Sequence, residues 1–309
     1  MNNHSHHHNH NHKHHHHNVE DISTTKIALV TFLNALITIA EIIGGIVSGS
    51  LSLLSDAFHN FSDTIAIVLS YTALVISKRK KNQRKTYGYK RAGVLAAFIN
   101  SGTLLIISFY LIYKAYERFI NPETINGNLM IIVASIGLVA NFISILLLQN
   151  DSKKSMNLKA SYLHLLGDTI SSVGVVLGGI AIKLWAVYWI DPVITVLISI
   201  YILKESYSVF KKSVDILMQS SADVDYEKLK KNIELIDEVI NIHHLHTWLC
   251  DENTIYLEAH VELKDMLISS GKNIYDKIEH ILKEKFAINH ITIQFETVNN
   301  NCKKDLFKV

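Results

Sequence analysis

Two cysteines, Cys250 and Cys302, are all the chain contains. That is too few for the several bridges that hold small secreted domains together, so the region carrying them fits a reducing compartment. There is no G-x-x-x-x-G-K-[ST] stretch, which argues against ATP-driven work through a phosphate-binding loop. H-E-x-x-H is missing too, which argues against an intramembrane metalloprotease. Acidic residues are absent from "KRKKNQRKTYGYKR", residues 78–91, which holds eight basic ones. The formal charge of +2 singles out no partner, and no nucleic acid is expected.

Apolar residues are what the chain has in excess. At 49% hydrophobic and a mean hydropathy of +0.19, it is more apolar than an ordinary soluble protein of its length. Six runs near the ~20 residues that cross a bilayer extend over 27–47, 51–76, 92–115, 129–148, 158–184 and 187–203. They are separated by "SGS", the basic loop, "NPETINGN", "QNDSKKS" and the interfacial aromatic corner "WAVYW". The first run lacks a small-residue cleavage site and is followed by further spans, so it does not read as a signal peptide.

Lysine and arginine collect in the loop 78–91 and in "DSKKSMNLK", 151–159, and are sparse in loops of opposite parity. By the positive-inside rule both chain ends are cytoplasmic. After Lys211 the pattern becomes that of a soluble α/β module: helix 225–237, strands 240–250 and 254–263, helix 266–286 and strand 289–298. A small sheet with both helices on one face is expected. The organisation is thus a His-rich tail (1–20), a six-helix membrane domain (21–208), a cytoplasmic α/β domain (209–298) and a short tail (299–309).

Ionisable residues inside the spans are the strongest functional signal. Asp56, His59 and Asp63 fall at i, i+3 and i+7 and so lie along one helix face. His164 and Asp168, four apart in "HLLGD", repeat the pattern in the fifth span. A lone pair of this kind often serves only to hydrogen-bond helices together. Two matching pairs imply more, because each Asp at a helix centre costs roughly 2.5–3.5 kcal/mol on insertion scales. His59, Asp63, His164 and Asp168 together make an N₂O₂ set with the ligand number and chemistry Zn²⁺ prefers. Glu41 and Asp56 are candidates for a water-filled path to that site. Asn34, Asn100 and Asn141 read as helix–helix hydrogen bonders, and Gly174 and Gly178, in GxxxG spacing, as a close-packing face.

The stretches "GSLSLLSDAFHNFSD", "TYGYKRAGVLAAFINS", "NPETINGNLM", "SYLHLLGDTISSVGVV" and "HHLHTW" resemble the cation diffusion facilitators, especially their bacterial zinc-exporting members. The resemblance covers about residues 24–298. It implies a dimer in the bacterial plasma membrane, with six helices, a cytoplasmic metallochaperone-like (ferredoxin-like) domain, and a transport site at His59, Asp63, His164 and Asp168. It further implies a regulatory zinc site at His243, His260 and Glu296, with Gln294 where relatives have another histidine. Arg91 and Asp215 stand where relatives place a charge interlock near the dimer interface. The third span departs from the family pattern, reading Arg91-Ala92-Gly93 in place of a basic residue, alanine and glutamate.

The amino-terminal "HSHHHNHNHKHHHH" is broken by Asn, Ser and Lys and runs straight into "NVEDIS", which favours a native segment over an added tag. It would collect Zn²⁺ weakly and multivalently on the cytoplasmic side. On the strand 240–250, period-two alternation would turn His244 and His246 to one face and His243 to the other. The resulting expectation is proton-coupled zinc export by alternating access, without catalysis. Cadmium, cobalt and nickel suit the same ligands, and a passive divalent-metal channel is the alternative.

Overall fold

The computed structural model describes residues 19–149, 156–297 and Leu306. The His-rich tail, the first part of the 151–159 loop and Cys302 lie outside the described residues. Six helices come first: α1 (Val19–Ser48), α2 (Leu51–Ser77), α3 (Ala92–Ile120), α4 (Gly127–Leu148), α5 (Met156–Trp185) and α6 (Ile190–Leu217). All six are long and apolar enough to cross a membrane. Their polarity is inverted relative to a soluble protein: Phe32, Ile106, Ile170 and Leu197 are exposed, while Glu41, Asp56, His59, Asn60 and Asp168 are buried. Such a surface suits lipid, which solvates apolar side chains and leaves polar ones to find partners inside.

The apolar runs locate the helices, and the ends differ where polar residues extend them. The sixth run ends at Leu203, whereas α6 continues through "KESYSVFKKSVDIL" to Leu217. These are helix-permissive residues without a glycine or proline to stop the ladder.

The chain divides into two compact units, one of residues up to Phe61 with Arg118–Ile194, the other of Ser62–Glu117 with Thr195–Val309. In the first, α4 packs along α5 and α1. A β-carbon on Gly179 would come within 2.8 Å of Ile131 of α4, so a bare backbone is needed there. Gly174 has open space around it, so the close approach of α5 is made at Gly178 and Gly179 rather than by the Gly174/Gly178 pair.

In the second unit, α3 and α6 meet through the stacked rings of Phe98 and Phe210, 5.0 Å apart, and Asn100 donates to Ser62 Oγ at 2.9 Å. The unit ends in the α/β module: α7 (Tyr226–Glu234), β1 (Val239–Leu249), β2 (Ile255–Leu263), α8 (Ile268–Phe286) and β3 (Ile288–Thr297). The sheet order is β1-β2-β3, with β1 antiparallel and β3 parallel to β2. Parallel pairing of β2 and β3 requires a crossover, which α8 supplies. Leu229 and Ile233 of α7 and Ile274, Ile278 and Leu282 of α8 share one core with Ile242, Leu245, Leu257 and Ala259. Both helices therefore cover one sheet face, as the sequence pattern implies.

Candidate metal centre

Because α2 and α5 are regular, a spacing of four residues stacks His59 on Asp63 and His164 on Asp168, each pair about one turn apart. Asp168 lies between the two histidines: its Oδ1 is 3.3 Å from His59 Nε2 and its Oδ2 is 3.7 Å from His164 Nε2. The imidazole centroids are 5.4 Å apart. Asp63, carried one turn along α2, completes a group in which one ligand atom from each residue lies within 4.8 Å of the others. Ligand atoms around tetrahedral Zn²⁺, with bonds of about 2.1 Å, are about 3.4 Å apart, so a small contraction closes the set.

Burial grades across the group. The Asp168 side chain is 1% exposed and His164 34% exposed, so the His164 side is the open one. Among the described residues, neither Asp168 oxygen accepts a hydrogen bond. An ionised carboxylate in that position needs a cation for compensation, and the site chemistry suits a divalent metal held by imidazole and carboxylate.

The two acidic candidates for a path are sealed in this conformation. Asp56, on the turn of α2 before His59, accepts from Ser171 Oγ at 2.7 Å and from Ser172 Oγ at 3.1 Å, fastening α2 to α5. Glu41 is fully buried and accepts at 2.9 Å from the amide of Asn60, the neighbour of His59. Gly137 of α4 makes room for that carboxyl; a β-carbon there would lie 2.4 Å from Glu41 Oε1.

One buried acid was missed in the sequence. Asp191 in the first turn of α6 is fully buried and caps the start of α2. It accepts from the Leu51 and Ser52 backbone N–H groups at 2.8 and 3.2 Å. The Ser50 and Ser52 hydroxyls add contacts of 2.7 and 2.6 Å. These N–H groups belong to the orphan donors of a helix start. The available signal was an acid, Asp191, at the edge of a span and next to Pro192, which ordinarily reads as the beginning of its own helix.

The second group lies on the sheet face away from α7 and α8. Glu296 Oε2 is 3.3 Å from His243 Nε2, and its Oε1 is 2.9 Å from His260 Nδ1. Neither of those nitrogens has a hydrogen-bond partner among the described residues, and the residue set suits a metal ion. Gln294, beside them, donates to Glu296 Oε1 at 3.0 Å.

Strict alternation along β1 fails at this point. The pairing slips between His243 and His246, and His244 has a φ of 48°, the left-handed geometry of a bulge. The extra residue lets Ile242 and Leu245 both enter the core. His243 and His244 consequently share the opposite face with His246: His244 stacks on His260 at 4.4 Å and meets His246 at 4.8 Å. The histidines are thus gathered on one side instead of being divided between two.

Arg91 and Asp215 form no ion pair with each other or with any other charge among the described residues. Gly93 is exposed, and a β-carbon there would be 4.0 Å from Ala73, so nothing local excludes a side chain.

Residues 27–218 match the model of the cation efflux transmembrane domain, and residues 222–298 match that of the cation efflux protein cytoplasmic domain. The chain belongs to the cation efflux family. It is a multi-pass membrane protein of a transporter family rather than an enzyme. It is 38% identical over 291 residues to the cadmium, cobalt and zinc/H(+)-K(+) antiporter of Bacillus subtilis, covering 92% of this chain and 93% of that one. Identity is 35% over 272 residues to the metal cation efflux system protein CzcD of Cupriavidus metallidurans (88% and 85% covered). It is 34% over 281 residues to the zinc transporter ZitB of Escherichia coli (90% and 88% covered).

Proposed function

We propose that this cation efflux protein exports Zn²⁺ from the cytoplasm in exchange for protons, by alternating access around His59, Asp63, His164 and Asp168. The observation that carries the reading is the pairing of two histidines with two carboxylates inside a membrane bundle, with Asp168 buried and lacking a hydrogen-bond donor among the described residues. Asp168 faces the imidazoles of His59 and His164 and accepts no hydrogen bond among the described residues, an arrangement that suits a cation held between the three groups.

Coupling follows from the ligands. Imidazole binds metal only when neutral and carboxylate only when ionised, so protons and Zn²⁺ compete for the same four groups. Histidine titrates near neutrality, which suits release by modest acidity outside. The loaded site opens outward, protons displace the metal, and the protonated carrier returns inward. Glu41 and Asp56 stand on the route that protons take once the helices around them part. The relatives' names include cadmium and cobalt, and the same donors accept those ions.

The protein then acts in the bacterial inner membrane as a homodimer with both ends in the cytoplasm, in keeping with the basic loops. Arg91 and Asp215 then form their interlock across the dimer. His243, His260 and Glu296 bind a regulatory Zn²⁺, while the His-rich tail raises the local supply.

The test is metal flux in proteoliposomes. A pH gradient imposed without a zinc gradient should drive Zn²⁺ movement in the wild type and none in Asp168→Ala or His164→Ala. Zinc that moves only down its own gradient identifies a channel, and undiminished flux in both variants refutes the site. Deleting residues 1–17 should lower apparent affinity or capacity while flux persists.

A further inference from the structure

The loop 78–91 joins the ends of two membrane helices, α2 and α3, and is folded rather than loose. Asn82 Oδ1 accepts from the backbone N–H groups of Arg84 and Lys85 at 3.0 and 2.9 Å, and its amide donates to Tyr89 at 3.0 Å. Gly88 takes a φ of 82°, and Tyr87 packs on Tyr256 and His290 with centroids 5.6 and 6.2 Å away. Between this loop and the sheet is a cavity of about 1010 Å³.

Its charge is one-sided. Arg84, Lys85, Lys90 and Arg91 line it, and Glu258 is the only acid among the lining residues. None of the eight loop cations forms an ion pair among the described residues, whereas four of the eight lysines of the α/β module, Lys230, Lys272, Lys277 and Lys283, have a carboxylate partner. Tyr256 contributes a protonated phenol to the wall, pushed up to about 12 by burial and by the Cys250 thiol it hydrogen-bonds. Leu95 and Leu217, the latter at the end of α6, supply an apolar edge.

Uncompensated cations next to spanning helices and an apolar edge match one ligand chemistry: a phosphate diester attached to hydrocarbon. We propose that this cavity binds the headgroup of an anionic phospholipid from the leaflet facing the α/β module. The headgroup supplies the counter-charge that Arg84, Lys85 and Lys90 lack among the described residues, and the acyl chains remain in the bilayer beside α3. Clustered Lys and Arg at a membrane surface attract acidic lipid with about fivefold in affinity per cation. Topology alone, in contrast, requires only that positive residues be present and not that they surround a cavity.

The test is lipid retention by the full-length protein in detergent, read by native mass spectrometry with added phosphatidylglycerol or phosphatidylcholine. The wild type should retain phosphatidylglycerol at least about tenfold better, given several cations acting together. Arg84→Gln with Lys85→Gln and Lys90→Gln should abolish the preference, whereas Lys272→Gln with Lys277→Gln and Lys283→Gln, which removes paired charges elsewhere, should preserve it. If the threefold variant does not fold, Arg84→Gln and Lys90→Gln singly should each reduce the preference about fivefold. Equal retention of the two lipids by the wild type overturns the proposal. So does a preference that survives loss of the cavity cations, or inorganic phosphate competing as well as the lipid, which would assign the cavity to a soluble anion.

Discussion

Replacing Asp191 by alanine isolates what the cap contributes to the start of α2. The carboxylate accepts from two backbone N–H groups and two hydroxyls in a fully buried setting. The serine hydroxyls have other recourse, since Ser50 and Ser52 already lie 3.2 Å apart. The N–H groups of Leu51 and Ser52 have none. A buried donor without an acceptor costs about 1–3 kcal/mol, so the pair should cost about 2–6 kcal/mol. Arg118 loses its 4.0 Å ion pair with Asp191 but keeps its bonds to the Gly49 carbonyl and Glu123. Asp191→Asn retains one carbonyl acceptor and should lose about half as much. Unfolding in detergent, compared across wild type, Asn and Ala, gives the ordering. An alanine variant within about 0.5 kcal/mol of wild type, the range of inert substitutions, would refute the capping role.

Other positions give sharper contrasts. Gly137→Val should reduce both folded yield and flux, because even its β-carbon meets the Glu41 carboxyl at 2.4 Å; wild-type yield and flux would show that α1 and α4 have slack there. Gly93→Glu should leave folding and transport within about twofold of wild type, given the open space at that position, and a collapse in either would mean that this surface is covered in the assembled protein. His260→Ala should remove zinc binding by the α/β module while the membrane site still transports, as calorimetry on full-length protein with and without Asp168→Ala can separate; unchanged stoichiometry would dismiss the second site.

The spacing of His59 from Asp63 and of His164 from Asp168 was legible because helical period alone decides which side chains share a face. The six spans were legible from their length. What the sequence hid was set by partners distant along the chain. Asp191 reads as the start of its own helix, yet it caps a helix 140 residues away. Asp56 looks free to line a path until the Ser171 and Ser172 hydroxyls are placed against it. The histidines of β1 were misassigned for a different reason: alternation presumes an unbroken ladder, and one left-handed residue resets its phase.

That reset changes how the strand can vary between homologous proteins. Exchanging one side chain at 243–246 alters a single group, but losing one residue would rephase everything on one side of the gap. Either Leu245 would leave the core or a histidine would enter it. A metal-responsive face on this module can thus be gained or lost by a three-nucleotide insertion or deletion that leaves every remaining amino acid unchanged, an event that counting matched histidines between relatives would overlook.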